Sequence, residues 1–383
     1  MNVLFVGNSG FPFGLAAVEK QKIIAKGLVE NGNSVKVICT EGEHSEKMIP
    51  RKGDFEGIEY YYTSIFTYQK NNILLRKVNK YLGAISEPFV LLFSKCDVIV
   101  ALSRNYFVMC EYKLISKIKG IPLTMLVHED NTFIKNKRFS LKSLNQLFYN
   151  KYIWNMVDAV FPISSYLEEL IKTKNPCLKQ FPLPSLTDFE FINNVQAGKM
   201  GKYFLFCGGA GYYEIIEFII KSFELTESKN YTLTLVSSGS VDQINRINAR
   251  IKKSTKPNKI KIVSFLPYNE LIAYYKSSAA LLIPLRNSIQ DIARFPHKIA
   301  EYCAAGSPII TTKYGEPAKF LKHNKTALIS ENYTPLSFSK QMIYVIENPE
   351  IVRVIGNNSL NEGKNMFDYK SKINSLSNFL KEL

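Results

Sequence analysis

The sequence predicts an α/β protein with two doubly wound parallel sheets, and two observations support this class. Short apolar runs typical of buried strands alternate with segments of helical spacing. The alternation then restarts after a proline-rich, then polar stretch, residues 181–201, which is typical of a linker. We therefore expect two Rossmann-like domains, residues 1–190 and 200–366, that face each other across a cleft.

The first domain opens on an apolar strand at residues 3–6. A helical spacing follows at residues 18–30 and ends at Asn31-Gly32, where glycine favours a stop. Ser164 or Ser165 can cap a later helix, because a serine oxygen accepts hydrogen bonds from free helix N–H groups. Further short apolar runs predict buried strands at residues 34–40, 97–102, 123–127 and 159–163.

The second domain repeats this pattern. A strand at residues 203–206 runs into Gly208-Gly209-Ala210-Gly211 and then a helix at residues 215–223. The tail, residues 367–383, has the spacing of an amphipathic helix. Further strands are predicted at residues 232–236, 261–263, 279–284, 309–312 and 327–329.

The composition indicates a globular protein with an anionic partner. Of 383 residues, 46% are hydrophobic and 21% charged, as in globular domains. We expect neither a signal peptide nor a membrane span, because residues 1–6 run straight into a strand and Lys95 and Asp97 interrupt the longest apolar stretch. The six dispersed cysteines indicate a reduced, cytoplasmic protein without a zinc site. The net charge of +16 favours an anionic partner.

Two groups of basic residues lie among aromatic and aliphatic side chains, which suits an anionic membrane surface. We therefore predict peripheral binding to the inner face of the cell membrane, with no nucleic-acid partner; a general enrichment in lysine is the open alternative. The groups are Lys70, Arg76, Lys77 and Lys80, and Lys135, Lys137, Arg138 and Lys142.

Residues 294–312 predict a loop, helix, turn and strand. Pro296 suits the first turn of a helix, and Gly306 can end it. A helix start beside Arg294 and Lys298 offers free N–H groups and positive charge to an anion. Glu301 lies one turn further, where its carboxylate could accept hydrogen bonds from ribose hydroxyls. The segment therefore predicts a site for a nucleotide diphosphate and its sugar.

The run Phe295-Pro296-x-Lys298-x-x-Glu301-Tyr302-x-Ala304-x-Gly306-x-Pro308 resembles the donor-binding segment of GT-B glycosyltransferases, specifically glycosyltransferase family 4. The resemblance implies retaining transfer of a sugar from a nucleotide-sugar donor to a glycan acceptor, which we expect to be lipid-linked, in surface polysaccharide synthesis. It implies no required metal or other cofactor. It also implies that the last helix crosses back to pack on the first domain.

The resemblance carries over to individual positions. A glycine-containing loop, a histidine at a strand end and a nucleobase-facing turn have counterparts here. The predicted catalytic residues are His128, Lys298 and Asp291. The predicted donor-binding residues are Gly14, Gly209, Gly211, Leu266, Arg294, Phe295, Pro296 and Glu301. An ordinary turn remains the alternative at Gly14 and Leu266, and a structural histidine at His128.

The sequence departs from the family pattern at two places. The first acidic residue of the family's Glu-x7-Glu pair falls on Ala293, and we expect Asp291 to substitute for it. Many relatives carry an arginine after the glycine-rich loop, where residues 212–214 are Tyr-Tyr-Glu. Arg294 and Lys298 could supply that charge instead. A nucleotide-sugar 2-epimerase of the same fold and a non-catalytic binding subunit therefore remain alternatives.

Overall fold

The computed structural model describes residues 1–14, 16–42, 49–68, 72–103, 105–130, 140–198, 201–227 and 230–383. The chain divides into two compact units. The first unit comprises Met1–Leu186 and Tyr369–Leu383, and the second comprises Thr187–Asp368. Each unit is a Rossmann-like α/β layer structure around a largely parallel sheet, which confirms the predicted fold class.

The sheet of the first unit has the order β3-β4-β2-β1-β5-β6-β7-β8. Neighbouring strands are parallel except for the antiparallel pair β3 and β4. The strand order reverses direction between β1 and β5, because β2 pairs on one side of β1 and β5 on the other. The strands are β1 (Asn2–Ser9), β2 (Ser34–Glu41), β3 (Lys52–Phe55), β4 (Ile58–Tyr62), β5 (Val98–Ala101), β6 (Leu123–Val127), β7 (Ala159–Pro162) and β8 (Lys179–Gln180).

The helices of the first unit include the C-terminal segment of the chain, which packs on α1. A Cβ at Gly27 would lie 2.7 Å from Ile373 Cγ1, so a larger residue there would force this packing to shift. Tyr369 Oη donates a hydrogen bond to Glu30 Oε2 at 2.7 Å. The helices are α1 (Ala16–Glu30), α2 (Ile73–Phe93), α3 (Tyr106–Lys119), α4 (Leu141–Tyr152), α5 (Ser165–Lys174) and α15 (Tyr369–Lys381).

The sheet of the second unit is parallel throughout, in the order β11-β10-β9-β12-β13-β14. The order in which the strands are added along the chain reverses between β9 and β12, because β10 pairs on one side of β9 and β12 on the other. Most residues of these strands are buried, because helices cover both faces of the sheet. Their apolar side chains form one core with those of the helices Tyr213–Glu224 and Pro335–Glu347. The strands are β9 (Tyr203–Cys207), β10 (Thr232–Val236), β11 (Ile260–Val263), β12 (Ala280–Ile283), β13 (Ile309–Thr312) and β14 (Leu328–Ser330).

The helices of the second unit begin inside the stretch that the sequence predicted as a linker. Residues Phe189 and Ile192 of α6 are fully buried, so this part of the stretch belongs to the core instead. The helices are α6 (Phe189–Asn194), α7 (Tyr213–Glu224), α8 (Val241–Lys252), α9 (Tyr268–Ser277), α10 (Ile289–Ala293), α11 (Lys298–Ala305), α12 (Pro317–Phe320), α13 (Pro335–Glu347) and α14 (Pro349–Phe367).

The predicted helix at Pro296 begins two residues later than expected. Its first residue is Lys298, with His297 as the N-cap, and Pro296 lies just outside. The carbonyl of Pro296 accepts a hydrogen bond from Ile299 N at 3.0 Å, which tightens the entry to the helix. At the other end Gly306 adopts φ 71°, the left-handed C-cap that the sequence predicted.

Candidate donor site in the second unit

The loops after β9 and β12 meet at the point where the strand order of the second unit reverses. In open parallel sheets, ligands bind outside the carboxyl ends of the strands at this point. The loop after β9 contains Gly209 and Gly211, both predicted donor residues. The loop after β12 contains Arg286, which is not among the residues predicted from the sequence. The topology therefore brings a glycine-rich loop and an arginine to one sheet edge.

Asp291 lies at the carboxyl ends of these strands and binds two arginines. Its carboxylate is fully buried. Oδ2 accepts hydrogen bonds from Arg286 N at 3.0 Å and Arg286 Nε at 2.8 Å. Oδ1 lies 2.7 Å from Arg294 Nη2. One carboxylate thus fixes two guanidinium groups that come from different segments, a geometry that two free surface arginines would not keep.

Both arginines reach the glycine-rich loop and the start of α7. Arg294 Nη1 donates to Tyr212 Oη at 3.2 Å, and its guanidinium lies 5.1 Å from the centre of the Tyr212 ring. Arg286 Nη1 pairs with Glu214 Oε2 at 3.1 Å. Arg294 Nε is buried and, within the described ranges, has no hydrogen-bond partner. The two arginines therefore supply the positive charge that residues 212–214 lack.

The surroundings of Asp291 favour a positioning role over the catalytic role that the sequence suggested. Burial by itself would raise the pKa of this carboxyl, but the hydrogen bonds from Arg286 and the charges of Arg294 and Arg286 outweigh burial and lower the pKa. The carboxylate is therefore charged and engaged on both oxygens. The carboxylate can therefore position the two arginines, but neither of its oxygens is available to accept a hydrogen bond from a sugar hydroxyl.

A second charged cluster lies at the start of α11. Glu301 is buried, and its Oε2 lies 2.9 Å from Lys298 Nζ. Its Oε1 lies 3.5 Å from His297 Nε2 and accepts a hydrogen bond from Tyr268 Oη at 3.2 Å. Burial opposes the charged form of Glu301, but Lys298 and His297 overcome this and hold its pKa well below the usual range. The structure therefore brings the predicted Lys298 and Glu301 together.

Phe295 anchors the segment between these two clusters. Its side chain is buried, with its ring centroid 5.9 Å from that of Phe320 and 5.4 Å from that of Phe367. Because the ring of Phe295 is part of the core, only the backbone of this residue remains available for the predicted donor contact. Pro296 is half-buried beside it and shapes the entry to α11.

The turn after β11 contains the predicted nucleobase contact, Leu266. The residue before it, Phe265, has φ 57° and a side chain that is 83% exposed. A bulky residue in the left-handed region costs about 1–3 kcal/mol, and such strain is often found at functional sites. Ser264 Oγ fixes the turn by donating to the Ser237 carbonyl at 2.6 Å. Leu266 itself is half-buried at the carboxyl edge of the sheet.

The remaining predicted residues, Gly14 and His128, belong to the first unit. Gly14 is half-buried in the loop that follows β1, where Gly10 has φ 79° and the Phe11 carbonyl accepts a hydrogen bond from Tyr62 Oη at 2.7 Å. His128 is half-buried and directly follows β6, at the carboxyl edge of that sheet. The roles of both residues stay predictions.

Across the part of the chain that the structure describes, histidine, cysteine and acidic side chains form no group of three or more that could hold a metal ion. The cationic groups at the sheet edge are arginine and lysine side chains. Such groups, together with helix N-termini, can neutralise a diphosphate directly.

Comparison with known families gives a match over the second unit. Residues 188–362 match the family model described as glycosyl transferases group 1. This range contains both charged clusters and the glycine-rich loop. No curated protein sequence matches the chain.

Solved structures resemble the whole chain. Sucrose-phosphate synthase from Thermosynechococcus elongatus has a TM-score of 0.75 at 13% identity, covering 100% of this chain and 98% of that one. HepE from Anabaena, solved with UDP and glucose, has a TM-score of 0.73 at 14% identity, with 100% of both chains covered. WaaG, a glycosyltransferase involved in lipopolysaccharide biosynthesis, has a TM-score of 0.66 at 12% identity, with 99% of both covered. The family match is thus confined to the second unit, whereas the solved structures share the fold of the whole chain.

Proposed function

We propose that this chain is a retaining glycosyltransferase that transfers a sugar from a nucleotide-diphosphate sugar to a lipid-linked glycan in surface polysaccharide synthesis. The similarity to HepE, which was also solved with UDP-glucose, supports a nucleotide-sugar donor. The similarity to WaaG, which is involved in lipopolysaccharide biosynthesis, supports a surface-glycan acceptor. The resemblance of the residue 294–308 segment to family 4 enzymes supports retention at the anomeric carbon.

The observation that carries the proposal is the arginine pair on Asp291. Arg286 and Arg294 lie beside the glycine-rich loop at the reversal point of the sheet, where a diphosphate would meet both guanidiniums and the N–H groups at the start of α7. Charge-assisted hydrogen bonds of this kind are about twice as strong as neutral ones. Because Asp291 holds the donors in advance, little reorganisation is needed when negative charge develops.

The proposed reaction uses these groups to stabilise the leaving diphosphate. The bond between the anomeric carbon and the diphosphate oxygen breaks, and the acceptor hydroxyl oxygen bonds to the same face of that carbon. The acceptor proton passes to the departing diphosphate. Arg286, Arg294 and Lys298 stabilise its growing charge, and Glu301 orients the ammonium of Lys298.

A thermal-shift screen with UDP, GDP, ADP and CDP, followed by their sugar conjugates, tests donor binding. A ligand at 100 times its Kd adds about 2.7 kcal/mol of stability, which is readily measured. The matched control is the corresponding nucleoside monophosphate. We expect it to stabilise the protein much less, because the arginine pair is placed for a second phosphate. If no diphosphate stabilises the protein, it is a binding subunit of another kind.

Product analysis by NMR with a lipid-linked glycan acceptor tests the reaction. We expect nucleoside diphosphate release that requires the acceptor, and a glycosidic product with the anomeric configuration of the donor. Conversion of the donor to an epimer in the absence of acceptor would instead identify a 2-epimerase. A product of opposite configuration would overturn the retaining assignment but not the transfer.

A further inference from the structure

Helix α2 buries polar residues and exposes apolar ones, which is the reverse of the usual pattern. In a surface helix of a globular protein, the buried stripe is apolar and the exposed face polar. In α2 the buried residues are Asn79, Gly83, Glu87 and Leu91, which follow each other at the spacing of one helical turn. Three of these four are not apolar. The large apolar side chains of the helix therefore lie elsewhere on its surface.

Specific polar contacts fix this orientation of α2. Asn79 accepts a hydrogen bond from Phe66 N at 2.8 Å and donates to the Phe66 carbonyl at 2.9 Å. Glu87 Oε1 accepts a hydrogen bond from Tyr112 Oη at 2.9 Å. A Cβ at Gly83 would collide with the Thr40 carbonyl oxygen. Rotating the helix to bury its apolar face would break the hydrogen bonds and bring a side chain into that collision.

The outward face of α2 is consequently apolar. Nine large apolar residues of this one helix are between 38% and 84% exposed. Five of them recur at spacings of three and four and form one continuous stripe. Monomeric proteins rarely expose a contiguous apolar surface of this kind unless it binds something. The stripe consists of Leu74, Val78, Tyr81, Ile85 and Phe89, and the others are Ile73, Leu75, Leu82 and Phe93.

The charges around this surface are positive. Arg76, Lys77 and Lys80 lie in the first half of α2, and Arg76 and Lys77 are exposed. Lys80 is also largely exposed and pairs with Glu41 at 2.6 Å. Glu87, the sole acidic residue in the α2 sequence, is buried. The exposed surface of α2 therefore combines apolar and cationic side chains and no exposed carboxylate.

The neighbouring helix α3 also exposes apolar side chains. It is joined to α2 by the Glu87–Tyr112 hydrogen bond and by Lys119 Nζ, which donates to the Leu92 carbonyl at 2.9 Å. Its outward positions Phe107, Leu114 and Ile118 are 50–64% exposed and fall on one helical stripe. A second apolar stripe thus lies on the helix packed against α2.

We propose that α2 docks the protein onto an anionic lipid bilayer, with its apolar stripe in the interface and Arg76 and Lys77 at the headgroups. A helix with an apolar face, flanking cations and no exposed acid matches an interfacial membrane helix. Each basic residue near anionic lipid contributes roughly 1 kcal/mol. Of the described helices, none is long and apolar enough to cross a bilayer. Lys70, Lys135, Lys137 and Arg138 of the predicted basic groups lie outside the described residues, so the proposal rests on α2.

Charge complementarity favours lipid over a second copy of this chain. A copy of this chain also carries a net charge of +16, so two α2 surfaces would bring cations toward cations. An anionic bilayer provides both an apolar interior and negative headgroups. Docking through α2 does not depend on the transfer reaction, so binding can be measured without donor or acceptor.

Sedimentation of the full chain with phosphatidylcholine vesicles, with and without phosphatidylglycerol, tests the docking. We expect binding to require phosphatidylglycerol and to weaken between about 0.1 M and about 1 M salt, where the Debye length falls from about 10 Å to about 3 Å. Ile85→Ser combined with Phe89→Ser should reduce the partition coefficient at least about tenfold. The matched control, Ile351→Ser with Val354→Ser, removes exposed apolar side chains from α14 and should leave binding unchanged.

The cationic contribution is tested separately. Arg76→Gln with Lys77→Gln should lower the preference for anionic vesicles, whereas Lys252→Gln with Lys253→Gln, an exposed pair in the second unit, should not. Circular dichroism establishes that each variant is folded. Absence of wild-type binding, or equal loss in both apolar variants, overturns the proposal. If sedimentation without lipid shows a dimer that only the α2 variant dissociates, the surface is a self-interface instead.

Discussion

Arg294 and Asp291 form an ion pair, with Nη2 2.7 Å from Oδ1, in which the carboxylate is fully buried and the guanidinium remains partly exposed. The same carboxylate holds Arg286 Nε at 2.8 Å. A buried charge is retained only where it is paired and hydrogen-bonded. The arrangement therefore uses an acidic residue to present two cations at the edge of the sheet.

Replacement of Asp291 by asparagine should weaken donor binding and lower stability together. Asp291→Asn removes the charge that holds both arginines, and breaking a buried ion pair costs about 3–5 kcal/mol. We expect a lower free energy of unfolding in urea and an affinity for the nucleoside diphosphate reduced by about tenfold or more. Calorimetry with the diphosphate and the monophosphate measures the second effect.

The ratio of these two affinities separates positioning from a general loss of structure. If Asp291 positions the arginines, the diphosphate should lose far more affinity than the monophosphate. Equal losses would show that the variant simply distorts the site. Asp242→Asn, which changes an exposed acid in the first turn of α8, is the matched control. It should leave both affinities unchanged and lower stability by no more than about 1 kcal/mol.

Replacement of Lys298 should reduce turnover more than donor affinity. Lys298→Met keeps an unbranched side chain that is one atom shorter and removes its charge. Interactions that strengthen in the transition state appear in kcat, and the ammonium should matter most as the diphosphate departs. Steady-state kinetics measures kcat and KM. A rise in KM at constant kcat would limit Lys298 to donor binding.

The control for Lys298 is a similar ion pair elsewhere in the second unit. Lys319 pairs with the buried Glu316 at 3.5 Å, also three residues apart. Lys319→Met should therefore remove the partner of a buried glutamate without touching the donor site. If both variants lose kcat equally, the effect of Lys298→Met is structural.

Replacement of Glu301 should weaken nucleotide-sugar binding. Glu301→Gln keeps the shape of the side chain and its contact with Tyr268 but releases Lys298. A hydrogen bond to a charged group contributes about 1.5–3 kcal/mol, so the Kd should rise at least about tenfold. Calorimetry measures it, with Glu316→Gln as the buried control. An unchanged Kd in folded Glu301→Gln would contradict a role of Glu301 in donor binding.

The parallel strands could be predicted because their signal is local. Buried strands such as Val98–Ala101 and Ala280–Ile283 are continuous apolar runs, which is the pattern of a sheet covered on both faces. The C-cap at Gly306 could be predicted as well, because the left-handed conformation that ends a helix favours glycine. Both predictions are confirmed.

Helix α2 could not be predicted in the same way. Its buried stripe is set by contacts with Phe66, Thr40 and Tyr112, which are distant in sequence, and its apolar residues face outward. The hydrophobic pattern therefore points to the wrong face. Strands β3 and β4, which precede α2 in the chain, were not predicted from the sequence either.

In the candidate site, the sequence predicted the local grouping of Lys298 and Glu301 but not Arg286. Lys298 and Glu301 are three residues apart on one helix, so their contact follows from helix geometry. Arg286 meets Glu214, which lies 72 residues away, through the strand order of the sheet. The rule that strand ends face the ligand, which we applied to His128, would also have identified Arg286 after β12.

Glu87 should make the protein less stable as the pH rises from about 5 to about 7. Burial raises the pKa of Glu87 to about 7, and the hydrogen bond from Tyr112 offsets this only in part. Between its ordinary pKa and about 7, the folded protein binds the proton that the unfolded chain releases. Stability from this group is therefore full at low pH and is lost with rising pH, by at most about 1.4 kcal/mol per pH unit.

Urea unfolding at several pH values should show a smaller fall in the free energy of unfolding for Glu87→Gln, while Glu270→Gln, at an exposed site, should follow the wild type. Parallel curves for Glu87→Gln and the wild type would contradict the raised pKa.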